Sequence, residues 1–259
     1  MRSRRVLVTG CSSGVGRASA IQLATRGHEV IATARRIESI VDLGVALAVE
    51  LDVTDADSVA AVADKVGPVD VLVNNAGRGL RAPVELVGDE ALRTLWETNV
   101  LGPLRTVRAF LPAMRERGAG RIVNISSVAG RRAMPLTGHY AASKHALEAL
   151  SESLRFEVRD FGIDVVLVEP GAVTSGFGAN RLAADVDPGP YAGVVARAAA
   201  QPKATAPAQT CEEVAEVVVR AVEAERVPLR MPTSAAVAGM IRERTGRSDE
   251  EFEEWATRG

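Results

Sequence analysis

Seven short apolar runs recur along the chain, separated by longer stretches rich in alanine and leucine. They are RVLVT (5–9), EVIATA (29–34), ALAVEL (46–51), VDVLVN (69–74), RIVNIS (121–126), DVVLVE (164–169) and VPLRM (227–231). Most show little polar–apolar alternation, the pattern of strands covered on both faces. Helix-like segments lie near 14–26, 55–66, 88–117, 138–161 and 210–225, and the last opens on a capping box of Thr210 and Glu213. Strand and helix in alternation, joined by right-handed crossovers, leave few arrangements. The pattern predicts an α/β fold with one doubly wound parallel sheet of about seven strands and helices on both faces. No linker or break in composition divides residues 1–259, which read as a single domain. Segment 176–209 has little periodicity and is expected to be a lid over a site, with 233–259 as a carboxyl-terminal extension. Pro103 and Pro112 predict a bend or break inside 88–117.

Charge and composition narrow the function. The net charge is −2 with no block of like charge, so neither nucleic acid nor an anionic membrane is expected as partner. No apolar run approaches the roughly 18 residues of a membrane span. The apolar run in MRSRRVLVTG is too short for a signal peptide, and a cytoplasmic location is expected. Cys11 and Cys211 are too few and too far apart for a disulfide framework or a metal site.

Two local features carry chemistry. TGCSSGVG (9–16) follows the first strand and leads into a helix. Gly10, Gly14 and Gly16 suit a turn that brings backbone close to a ligand, with the unpaired N–H groups of a helix start aimed at a pyrophosphate. Taken alone, such a turn is equally a plain connection. The second feature is Tyr140 with Lys144, one of two tyrosines and one of three lysines in a chain that otherwise uses arginine. Residues i and i+4 share a helix face. A free phenol has a pKa of about 10, too high for acid–base work near neutrality, and a neighbouring cation lowers it.

These stretches, with NNAG (74–77), NVLG (99–102), ISS (125–127), YAASK (140–144) and PGAV (170–173), stand in the order and spacing of the short-chain dehydrogenase/reductases. The resemblance covers about residues 5–232. TGCSSG, AFLPAMRERGAGRIV and YAASKHALEALSESLRFE resemble most the branch of 17β-hydroxysteroid and retinol dehydrogenases. It implies a Rossmann-like fold and an oxidoreductase that interconverts a ketone or aldehyde and an alcohol through a nicotinamide dinucleotide. Tyr140 would be the acid/base, with Lys144 tuning it and binding ribose. The family's usual interval of thirteen residues before the tyrosine selects Ser127 over Ser126 as the carbonyl-polarising hydroxyl. Asn99 matches an asparagine that anchors a relay water. The resemblance places Gly10, Ser12, Ser13, Gly14, Val15 and Gly16 at the pyrophosphate, and Asp52 and Val53 at the adenine. It places Asn75, Ala76 and Gly77 beside the cofactor, and Pro170, Gly171, Val173 and Ser175 near the nicotinamide. Ser175 departs from the usual threonine but keeps the hydroxyl.

Where an NAD enzyme would carry an acid after the second strand, this chain has Ala34, Arg35 and Arg36. A guanidinium there can pair with a ribose 2′-phosphate, so NADP(H) is expected over NAD(H); a solvent-facing Arg35 is the plain alternative. Phe177, Leu182 and Tyr191 favour an apolar substrate of steroid, retinoid or polyketide kind. His139, beside Tyr140, reads as a structural histidine, with contact to substrate as the alternative. Ala141, Leu147, Leu150, Leu154, Phe156 and Phe161 leave one helix apolar on more than one face, which predicts a homodimer or homotetramer built on 88–117 and 138–161. Rival readings are a silent nucleotide sensor, which would be expected to lose the tyrosine, lysine or serine, and a sugar-nucleotide epimerase, which usually has a longer carboxyl-terminal domain.

Overall fold

The structure is a computed structural model that describes residues 3–174, 182, 187–200 and 208–257. Its sheet contains β1 (Arg5–Val8), β2 (Glu29–Ala34), β3 (Leu47–Glu50), β4 (Val71–Asn74), β5 (Gly120–Ile125), β6 (Ile163–Glu169) and β9 (Arg230–Pro232). The seven strands run parallel in the order β3-β2-β1-β4-β5-β6-β9. A separate parallel pair joins β7 (Val173–Thr174) to β8 (Gln209–Thr210). The runs do become strands; the five inner ones are covered on both faces, while β3 and β9 at the edges are only partly buried. Val6, Val8, Val71, Val73, Val166 and Val168 face one core, while Leu7, Leu72, Ile122 and Val165 face the other.

Helix α1 (Gly14–Thr25) and α7 (Cys211–Glu223) cover the first face; α2 (Ala56–Val66), α4 (Gly102–Arg117) and α5 (Gly138–Val158) cover the second. The expected capping box forms: the Thr210 hydroxyl accepts from the Glu213 N–H at 3.1 Å and the Glu213 carboxylate accepts from the Thr210 N–H at 2.8 Å. The other end of α7 has no capping glycine. Buried Arg121 from β5 donates there to the carbonyls of Ala221, Val222 and Ala224 at 2.7–3.1 Å, and to Asp164 at 2.8 Å. A cation thus satisfies carbonyls that the helix end leaves unpaired.

The stretch 88–117 is not one helix. It divides into α3 (Asp89–Trp96), a π-turn over Glu97–Leu101 and α4. Pro103 follows the π-turn as one of the first residues of α4, where its missing N–H costs least. Pro112 lies inside α4 without ending it, so the break falls at the first proline alone. Within the expected lid, α6 (Ala192–Ala200) is a helix, so the segment is not irregular throughout; its alanines favour that state.

The carboxyl-terminal extension contains α8 (Ala235–Thr245) and α9 (Asp249–Thr257). Val237 of α8 packs so closely that a Cβ on Gly171 would lie 2.8 Å from its Cγ2. In α9, Phe252 stacks on Trp255 with centroids 5.4 Å apart. Arg132 and Arg247 lie over Trp255, at 5.5 and 5.4 Å, and Arg244 lies over Phe252 at 4.9 Å. Cation–π contact therefore ties the extension to the loop that follows β5.

Behind that loop two carboxyls are buried together. Glu169 ends β6 with no exposed surface, and Glu148 of α5 is nearly as deep. Arg131 reaches one Glu169 oxygen at 3.3 Å and Arg230 reaches Glu148 at 2.8 Å, yet Glu169 Oε2 and Glu148 Oε1 each lack a partner. Burial, reinforced by the Glu148 charge and opposed by Arg131, pushes the Glu169 carboxyl up to about 7. Because the folded value lies above the unfolded one, the stability this group contributes is complete below about pH 4.5. It is lost as pH rises through about 7. Glu169→Gln, which keeps the shape and cannot ionise, is expected to gain stability relative to wild type on going from pH 5 to pH 8. The gain should be on the order of 2 kcal/mol. Paired denaturant titrations at the two pH values measure it, and a difference that does not change with pH excludes the assignment.

Candidate active site

The strand order reverses between β1 and β4, and the loops leaving the carboxyl ends of β1, β2, β4, β5 and β6 surround one cavity of about 620 Å³. In open parallel sheets such a crevice is where ligands sit. Gly10 stands at φ +73°, and a Cβ there would lie 2.8 Å from the Ala76 Cα; this turn is open only to glycine. Asn75 locks the same contact from the other side, donating from Nδ2 to the carbonyls of Thr9 and Gly10 at 2.9 and 3.1 Å. Thr9 Oγ1 accepts the N–H groups of Asn75 and Ala76, each at 3.0 Å.

Ser12, Ser13, Gly14 and Val15 line the cavity at the start of α1. Ser13 is the N-cap residue, yet its side chain makes no capping bond and the first turn carries no acid. The first amides of α1 are therefore available to an anion, and a bound pyrophosphate fits here on backbone chemistry alone. Gly16 does not line the cavity. A Cβ on it would lie 2.3 Å from Asn75 Nδ2 and 2.4 Å from the Gly10 carbonyl, so its part is to let α1 seat on the loop.

Ser127, Tyr140 and Lys144 line the opposite end of the same cavity. Ser127 leaves β5 and is held by its own turn: its Oγ accepts the Ala129 N–H at 3.1 Å and lies 3.5 Å from the Pro170 carbonyl. Ser126 is buried with an unpartnered hydroxyl, and a Cβ on Gly130 would lie 2.8 Å from that Oγ, beside Glu148. Tyr140 enters on the first turn of α5 and packs against the buried cluster of Leu80, Ala82 and Leu95. One turn on, the Lys144 ammonium is buried and donates to the Ile125 carbonyl at 2.8 Å. Burial pulls it down to about 8, against the opposing charge of Glu148. At Gly77 a Cβ would meet only ordinary contacts, 3.5 Å from Asn99 Oδ1 and 3.8 Å from Lys144 Nζ.

Asn99 sits in the π-turn, fully buried and outside the cavity wall. Its Oδ1 accepts the Arg78 N–H at 2.8 Å, and its Nδ2 donates to the Arg78 carbonyl at 2.9 Å and to Ser143 Oγ at 3.1 Å. Ser143 in turn donates to the Tyr140 carbonyl at 2.7 Å. The carboxamide thus staples the loop after β4 to the first turn of α5. Both its N–H groups are engaged, so a relay water on Asn99 would have to be held by oxygen.

Arg35, Asp52 and Val53 line the remaining side, and Pro170, Gly171 and Val173 close the end near Ser127. Asp52 Oδ1 accepts from the Thr54 N–H and hydroxyl at 2.9 and 2.7 Å. Arg78, Thr94 and Thr98 also line the cavity and were not foreseen from sequence; for Arg78 the only signal was its place directly after NNAG. Ser175 and Phe177 lie outside the described residues. Leu182 bridges to Leu80, Tyr191 bonds through its hydroxyl to Glu85, and His139 Nε2 lies 3.0 Å from the Val84 carbonyl, a structural contact.

Known proteins similar in sequence and fold identify the family. The family model described as short chain dehydrogenase matches residues 4–185. Human retinol dehydrogenase 8 is 37% identical over 254 residues, which cover 89% of this chain and 81% of that protein. Human 17-beta-hydroxysteroid dehydrogenase type 1 is 42% identical over 188 residues, covering 66% of this chain and 57% of that one. A short-chain dehydrogenase from Streptomyces avermitilis superposes with a TM-score of 0.84 at 38% identity, over 98% of this chain and 96% of that one. One from Burkholderia cenocepacia, solved with NADP, gives 0.81 at 26% identity over 100% and 98%. Another from Burkholderia phymatum, solved with NAD, gives 0.79 at 28% over 97% and 95%. With the match spanning the strands and loops that build the cavity, the chain belongs to the short-chain dehydrogenase/reductase family.

Proposed function

We propose that this protein is an NADP(H)-dependent oxidoreductase that interconverts a ketone or aldehyde and the corresponding alcohol. The observation that carries the reading is one cavity with Ser127, Tyr140 and Lys144 at one end, open helix amides in the middle and Arg35 at the other. A nicotinamide dinucleotide bound there supplies or accepts the hydride. In reduction, the Ser127 hydroxyl polarises the substrate oxygen and the Tyr140 phenol gives it a proton as negative charge develops. Lys144 stabilises the phenolate left behind. Oxidation runs the same proton the other way. The relatives named for retinol and hydroxysteroid chemistry favour an apolar substrate. A panel of ketones and secondary alcohols, followed by reduced-nicotinamide absorbance, tests the reading; no turnover on any member would favour the silent sensor.

Cofactor choice rests on charge. The 2′-phosphate of NADPH carries nearly two negative charges, and a guanidinium can meet it with charge-assisted hydrogen bonds of about 1.5–3 kcal/mol each. Arg35 is exposed on the cavity edge, and Ala34 offers no carboxylate to repel the phosphate or hold a free 2′-hydroxyl. The double substitution Ala34→Asp with Arg35→Ala is expected to lower kcat/KM with NADPH by roughly ten-fold or more while sparing NADH. A wild-type preference for NADH, or an unmoved ratio, would reduce Arg35 to a surface residue.

The same reading includes a homodimer or homotetramer. Phe156 is 70% exposed and Phe161 43%, with Leu150 also open, on and just after α5. Large apolar groups exposed together mark a surface that another chain covers. Sedimentation at micromolar concentration should give at least twice the chain mass, and Phe156→Glu should shift it toward monomer. A monomeric wild type rules the assembly out.

A further inference from the structure

Arg78 is the one cavity-lining cation for which neither the family pattern nor the proposed chemistry has a use. Its backbone cannot drift: Asn99 grips both its N–H and its carbonyl, at 2.8 and 2.9 Å. From that fixed point the half-buried residue contributes to the cavity wall, as do Arg35 and Asp52. Several arginines around the fold are paired with carboxylates: Arg5 with Glu29, Arg105 with Glu97, Arg121 with Asp164 and Arg230 with Glu148. Neither Arg35 nor Arg78 has an ion-pair partner among the described residues.

The two cations also feel each other. Partial burial holds the Arg78 guanidinium below the usual arginine range, and the charge of Arg35 pushes it the same way, against the weaker pull of Asp52. Like charges held within mutual range in one cavity, without a counter-ion from the protein, leave a demand for an anion. Asp52 does not meet it, since its Oδ1 is engaged by Thr54 and it forms no ion pair with either arginine. A dianion set between two guanidiniums would relieve the repulsion and gain hydrogen bonds from both.

We infer that Arg78 and Arg35 together clamp the ribose 2′-phosphate of the dinucleotide, which makes Arg78 a second determinant of cofactor choice. The inference rests on the NADP(H) reading and adds a residue to it. Planar guanidiniums approaching from two loops give the phosphate more donors than Arg35 alone, and the Asn99 staple keeps one of them in position.

The test uses adenosine 2′,5′-bisphosphate and 5′-AMP, which differ only in the 2′-phosphate, titrated calorimetrically into wild type, Arg35→Met and Arg78→Met. Methionine keeps an unbranched apolar stem while removing the charge. Thermal melts confirm that each variant folds. The wild type should bind the bisphosphate more tightly than 5′-AMP. Each variant should weaken the bisphosphate by roughly ten-fold or more, leave 5′-AMP within about two-fold, and Arg78→Lys should recover part of the loss. If Arg78→Met weakens both ligands alike, the residue serves the adenine and the clamp is wrong; if it weakens neither, Arg78 is merely solvated. A wild type that does not discriminate overturns the NADP(H) reading itself. Discrimination lost with Arg35→Met but kept with Arg78→Met overturns only the clamp.

Discussion

Replacing Tyr140 by phenylalanine is expected to lower kcat by roughly 10²–10⁴-fold while the protein folds and binds dinucleotide as before. The side chain packs on the cluster of Leu80, Ala82 and Leu95, and phenylalanine keeps that apolar packing. The helix start is also preserved, because the bond from Ser143 reaches the Tyr140 carbonyl and not its side chain. What is lost is the phenolic proton that the proposed mechanism delivers to the substrate oxygen. Steady-state turnover on a substrate found in the carbonyl panel, with dinucleotide affinity measured alongside, checks this. Near-normal turnover would remove Tyr140 from the mechanism.

Lys144→Met should be at least as damaging to turnover, and should separate activity from stability. The ammonium is buried, and its folded value of about 8 lies below the unfolded 10.5. A depressed value means that stability is complete above the unfolded pKa and falls as pH drops through about 8. At neutral pH the folded protein therefore carries the cost of a buried cation, and methionine removes it. The variant is expected to melt at the same temperature or a few degrees higher. On the proposed mechanism, loss of the Lys144 ammonium above about pH 8 removes the support of the phenolate, so turnover in this range should fall with an alkaline limb that Lys144→Met lacks. A variant that both melts far lower and loses activity would make the lysine chiefly structural.

The features legible in the sequence share a physical cause. Doubly covered strands need continuous apolar runs, so each run announced its strand. Tyr140, Lys144 and the glycine loop were visible because their geometry is local, fixed by one helical turn or one tight turn. What escaped depends on distant partners. Arg121 looked like an ordinary strand residue, and only the fold brings it to the end of α7. Glu148 and Glu169 lie on different elements, so nothing local marks them as a buried pair. Asn74, Asn124 and Ser151 join three elements in a buried polar row, Asn74 to Asn124 and Asn124 to Ser151, each at 2.9 Å. Arg78 escaped for the same reason, since only the fold brings it into one cavity lining with Arg35. Helices α6, α8 and α9 bury little: α6 no residue fully, α8 only Val237 and Ile241, and α9 only Phe252 and Ala256, so no broad apolar stripe marks them in the sequence.

The placement of β9 has a consequence for where this chain can be cut. The family match ends at residue 185, and every motif of the cavity lies before that point. Yet β9, at 230–232, is the strand that pairs with β6, aligning Leu167 with Arg230 and Val168 with Met231. A fragment stopped at 185 would keep the cavity motifs and lose this cover. Its terminal strand would be IDVVLVE, whose Val165 to Val168 are wholly buried in the intact protein. An open edge of that composition is a template for strand addition by other chains, so such a fragment would be lost to aggregation before it could be assayed.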